Sequence, residues 1–145
     1  MVVALRPEHS EAFLSRFPAA EFYVDGEAAR EAIRTSGQFN IIHPGSGLKI
    51  DVYVSPDTPY DRTRLARRQR LPLLPGVEAD FARAEDIILL YKLLYYRQGR
   101  SALHMRDVLG ILRVSGPELD ERYIAEWADR LGLTTIWEQV RAQAD

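Results

Sequence analysis

Hydrophobic and polar positions change their period near the middle of this chain. Residues 48–54 read Leu-Lys-Ile-Asp-Val-Tyr-Val, with Leu48, Ile50, Val52 and Val54 alternating with Lys49, Asp51 and Tyr53. That period of two predicts a strand with one buried and one polar face. Residues 38–43 (QFNIIH) predict its hairpin partner, joined to it by the turn-forming Pro44-Gly45-Ser46-Gly47. The opening MVVAL and residues 21–25 (EFYVD) predict two further strands. Between them Pro7 opens a helix, Phe13, Leu14 and Phe17 give it an apolar face, and Pro18 ends it. A short helix is expected over residues 27–34, with Asp25 as its cap. Residues 61–70 (DRTRLARRQR) predict a polar helix, and LPLLPG after it a proline-punctuated connector.

From residue 83 onward the apolar residues recur at helical spacing. Residues 87–96 (IILLYKLLYY) are apolar on nearly every side and predict the central helix of the molecule. Ser101 caps a second helix, where Met105, Val108, Leu109 and Leu112 fall at i, i+3, i+4 and i+7. A third carries Ile124, Trp127, Ala128 and Leu131 at the same spacing and ends at Gly132. Thr135 and Glu138 form a capping-box pair for a fourth. The fold class is therefore α+β: a mixed or antiparallel sheet over residues 1–75, then a helical portion over 76–145, packed as one unit.

Composition narrows the function classes. The 145 residues suit one ordinary domain, with 46% hydrophobic and 28% charged residues. A formal net charge of −2 makes no general case for nucleic-acid binding, and that partner stays open. With no cysteine, disulfides, thiolate metal sites and cysteine nucleophiles are excluded. No apolar run reaches the length of a membrane span or a signal-peptide core, so the expected location is the cytoplasm, away from membranes.

Asp51 stands out because aspartate is a poor strand former. A half-exposed strand with its polar side in water explains it; the alternative is a carboxylate holding Mg²⁺ near a triphosphate. Five arginines (62, 64, 67, 68 and 70) crowd nine residues, a solvated helix surface or a patch for phosphate or an acidic partner. Lys92 is the only charge between Asp86 and Arg97. It is expected either to pair with Asp107 on the next helix or to face a ligand. Gly45-Ser46-Gly47 opens no helix and is a hairpin turn rather than a phosphate loop. His9, His43 and His104 lack metal-ligand spacing and are surface or packing residues.

Taken together, EFYVD, FNIIHPGSGLKIDVYV, the Glu85-Asp86…Lys92-Leu93 helix, the Arg106-Asp107 pair and LDERYIAEWADRLGL resemble a bacterial nucleotidyltransferase-like family of mostly uncharacterised proteins. That family is distantly related to the nucleotidyltransferase toxins of abortive-infection systems. The resemblance runs over residues 22–133. It implies a nucleotidyltransferase-like mixed sheet, with Asp51 at the position of the third metal carboxylate and hence the catalytic and Mg²⁺-binding candidate. Lys49, Lys92 and Arg106 would be substrate-binding, and the cofactors would be Mg²⁺ and an NTP. The implied ancestral activity is nucleotidyl transfer to a protein or RNA acceptor.

The Gly-Ser turn and Asp-x-Asp strand of that family would lie just before MVVAL. This sequence begins there, so the resemblance implies a sheet truncated at its start, incomplete or inactive for catalysis. Asp25-Gly26-Glu27 does not replace the missing pair, because Asp25 reads as a helix cap. The alternative is a non-catalytic interaction module, one half of a toxin–antitoxin-like pair with a co-encoded partner. A homodimer through the exposed N-terminal sheet edge is also expected.

Overall fold

The computed structural model describes residues 1–99 and 101–144 of the chain. It is mixed α and β, 56% helical and 19% strand, with small sheets and a helical C-terminal half. Two compact units divide the chain, Met1–Asp61 and Arg62–Asp145.

The first unit is built on a three-stranded sheet of β1 (Val2–Val3), β2 (Gln38–His43) and β3 (Leu48–Val54), ordered β1-β3-β2. β2 and β3 form the antiparallel hairpin that the sequence predicts, with Phe39 opposite Val52 and Asn40 opposite Asp51. β1 runs parallel to β3, Val2 opposite Tyr53. A turn of 3₁₀ helix (Pro7–His9) leads into α1 (Ser10–Leu14), and α2 (Gly26–Thr35) follows. The Asp25 carboxylate accepts from the Ala28 N–H at 3.0 Å and caps α2 as expected. Helix α2 supplies Ala29, Ala32 and Ile33 to a core with Phe39, Ile41, Val52 and Val54.

Two expectations fail in this unit. Residues 21–25 do not form a strand. Tyr23 makes a single bridge to Ile42, with N–H to O distances of 2.8 and 3.0 Å. Pro18, whose carbonyl accepts from Glu21 and Phe22, holds the chain in a turn that leaves no length for a ladder. The apolar face of β3 is also only half buried: Val52 and Val54 are in the core, whereas Leu48 is 67% and Ile50 38% exposed. The distal half of the hairpin runs past the helix that covers the rest.

In the second unit α3 (Pro59–Ala66) enters from the first, then β4 (Gln69–Leu74) and β5 (Val77–Phe81) form a separate antiparallel ribbon. The expected polar helix therefore stops at Ala66, and the expected connector is a strand. Pro75 and Gly76 form the two-residue link, and Gly76 takes φ +75°, the left-handed conformation that glycine adopts without strain. VEADF alternates apolar and acidic residues, and that period of two after a Pro-Gly turn was the signal for the hairpin.

The helical portion begins with α4, a continuous helix made of Ala84–Asp86, a π-helical stretch Ile87–Leu94, and Tyr95–Gly99. Then come α5 (Ala102–Ser115), α6 (Glu121–Arg130) and α7 (Thr134–Ala144). Their core is Ile88, Leu89, Leu93, Val108, Ile124, Trp127, Ala128, Leu133, Trp137 and Val140. α4 is the central apolar helix that the sequence predicts. Gly132 ends α6 at φ +66°. α7 starts at Thr134, so Thr135 lies inside its first turn and does not act as a cap. No helix among the described residues is long and apolar enough to cross a membrane.

Candidate functional site

In the first unit the pleat of β2 and β3 turns Gln38, Asn40 and Ile42 to the same side as Tyr53, Asp51 and Lys49. This side is opposite the core, and Gln38, Asn40, Lys49 and Tyr53 are exposed. Asp51 lies there with its side chain 45% exposed, and Lys49 Nζ sits 3.0 Å from its Oδ1. The strand tolerates an aspartate because this face has no apolar cover and a lysine two residues away balances the charge.

An ion-paired single carboxylate does not make a Mg²⁺ site, which calls for a second carboxylate or substrate phosphates as well. Among the described residues no group of three or more His, Cys, Asp or Glu side chains is placed to hold a metal ion. The residues around Asp51 thus do not by themselves fit the cofactor that the resemblance implies. At the turn end of the hairpin, His43 tilts against Phe22 with ring centroids 5.1 Å apart and meets Ser46 Oγ at 2.7 Å. Its Nδ1 also accepts the Ser46 N–H. His43 is a packing and turn-closing residue, as its sequence context predicts.

In the second unit Lys92 donates to Asp107 Oδ2 at 2.8 Å, the pair between neighbouring helices that the sequence offers as one of two readings. The Lys92 hydrogen bond is the main cause holding the Asp107 carboxyl below its ordinary range. Arg106 is exposed on α5.

Sequence reasoning passed over a buried ionic cluster at the start of α4. Glu85 and Asp86 are 6% and 2% exposed. Asp86 Oδ1 accepts from the Tyr123 hydroxyl at 2.8 Å, and Glu85 Oε1 accepts from the Asp120 N–H at 3.1 Å. Arg67 lies between them, 3.6 Å from Glu85 Oε2 and 3.8 Å from Asp86 Oδ2, with its guanidinium 3.7 Å above the Tyr123 ring. Arg83 Nε donates to the Arg67 carbonyl at 2.9 Å and fixes the backbone there. Adjacent carboxylates at the mouth of an apolar helix are the sequence signal for such a cluster, since buried charges need partners.

Burial, followed by the hydrogen bond to Asp86, pushes the Tyr123 phenol well above its ordinary range. The folded state therefore holds this proton more tightly than the unfolded chain. The stabilisation is complete below the ordinary tyrosine value, about pH 10, and is lost as pH rises above it. Urea midpoints measured from neutral pH upward are expected to fall beyond about pH 10, and to fall less in Tyr123→Phe.

The arginine cluster is not a free patch. Arg64 is buried, Arg67 serves the ionic cluster, and Arg68 and Arg70 belong to the ribbon. Arg68 Nε lies 3.0 Å from Asp80, and Arg70 Nε lies 3.0 Å from Glu78 with Nη1 3.8 Å from Asp80. These pairs occupy one face of the ribbon. The other face carries Leu71, Val77 and Phe81, which are 43%, 48% and 38% exposed, and Leu73 and Leu74 near the turn are 54% and 62% exposed. No residue of β4 or β5 is buried. A two-stranded ribbon with an uncovered apolar face is marginal in water and typical of a surface that receives something.

No protein-family model matches the chain, and a search of curated proteins finds no match.

Proposed function

We propose that the chain is a nucleotidyltransferase-like scaffold working as a protein-interaction module, with the β4–β5 ribbon as its binding surface. The observation that carries this reading is the ribbon's exposed apolar side chains, Leu71, Val77 and Phe81 on one face with Leu73 and Leu74 near the turn. Its charged face is already neutralised by its own arginines. Binding there is therefore driven by apolar burial, with charge setting register and specificity. The partner is a co-encoded protein, as in a toxin–antitoxin-like pair. A homodimer through the outer edge of β1 remains a separate proposal for the first unit.

The test is the size of the protein drawn from its native cells. It is expected to run as a complex larger than a single chain, and Leu71→Ser with Phe81→Ser is expected to return it to single-chain size while leaving it folded. Wild-type protein running as a single chain at native concentration would overturn the reading.

One observation favours the ancestral chemistry as a second reading: Asp51 and Lys49 stand side by side on an uncovered sheet face. There Lys49 would meet phosphate and Asp51 a Mg²⁺ supplied with its nucleotide. Mg²⁺-dependent ATP binding lost in Asp51→Asn would put this reading first.

A further inference from the structure

The ribbon has two outer edges, and they are not equivalent. β4 contains Pro72, which has no N–H to offer, and its register shifts between Pro72 and Leu74. That edge is closed to a regular ladder. β5 has neither defect. It pairs with β4 in one register from Glu78 to Phe81, and alternate residues turn their N–H and C=O outward.

Charge selects what can pair there. The acidic side chains of β5, Glu78 and Asp80, form a column on one face, contacted by Arg68 and Arg70 from the β4 side. Their side chains remain 58% and 39% exposed. A second copy of β5 laid antiparallel on the first would set Glu78 and Asp80 against the same acids, and like charges directly opposite destabilise a pair. β4 of a second copy brings its proline. Both self-pairings are disfavoured.

We propose that the β5 edge accepts an extended segment of a partner protein as a third strand, one in which arginine or lysine alternates with apolar residues. This rests on the reading of the chain as an interaction module and names the chemistry of its partner. The basic side chains of the added strand stand beside Glu78 and Asp80 and complete a basic–acidic–basic row across the ribbon. Its apolar side chains widen the face formed by Leu71, Ala79 and Phe81. A third strand with an apolar face is what a two-stranded ribbon lacks for independent stability. Main-chain hydrogen bonds supply affinity in this mode and alternate side chains supply specificity.

The probe is a fluorescent octapeptide alternating valine and arginine. It is compared by polarisation with a scrambled peptide of the same composition and with a copy N-methylated at alternate residues. The alternating peptide is expected to bind about tenfold more tightly than either control, and Glu78→Lys with Asp80→Lys to weaken it by about the same factor. It is also expected to slow amide exchange at residues 77–81. Equal binding of alternating and scrambled peptides, or indifference to N-methylation, would overturn the proposal, and neither depends on how a protein variant folds. A native complex that forms through the ribbon while the alternating peptide fails to bind would leave the module reading standing and remove this one.

Discussion

Replacing Asp86 with alanine is expected to lower the stability of the second unit by about 3 kcal/mol, the usual scale for breaking a buried ionic pair from one side. Asp86 is 2% exposed and receives the Tyr123 hydroxyl. Its loss leaves that hydroxyl without its acceptor and the Arg67 guanidinium with Glu85 as its remaining carboxylate in the cluster, so part of their desolvation is no longer compensated. Most of the penalty belongs to the groups left behind, so Asp86→Ala combined with Tyr123→Phe is expected to cost less than the two changes summed. Urea denaturation of the single and double variants measures both. A midpoint unchanged in Asp86→Ala would mean that the cluster is slack and Arg67 is solvated.

The ribbon behaves in the opposite way. Replacing residues 70–80 with a short Gly-Ser link is expected to change stability by less than about 1 kcal/mol, because no residue of either strand is buried and its ion pairs are exposed. The same change is expected to abolish the native complex. An element that contributes little to folding and everything to binding is what an interaction surface predicts, whereas a large loss of stability would show that the ribbon props up the helices.

Where one physical signal dominated, the sequence was legible. The β2–β3 hairpin followed from strict alternation across a Gly-Ser turn, and α4 and α6 followed from dense apolar spacing. The Asp25 cap followed from local hydrogen-bond chemistry. The ribbon was not recognised because arginine density across residues 62–70 resembles a helix surface, and Pro72 resembles a breaker. In fact the proline lies within one strand of a two-stranded ribbon, opposite Glu78 and beside a register shift. The candidate site was legible only in part. The alternation put Lys49 and Asp51 on one face, and the Lys92–Asp107 pair was among the readings offered. The Arg67–Glu85–Asp86–Tyr123 cluster joins residues as far as 56 positions apart in sequence, and no local pattern encodes such a meeting.

Amide hydrogen exchange on the chain alone shows whether the ribbon stands uncovered in the free protein. Rapid exchange is expected across residues 69–81, and slow exchange around the buried Leu89, Leu93, Val108 and Ile124. Ribbon amides as slow as those of the helices would contradict it, because the apolar face would then already be covered without a partner.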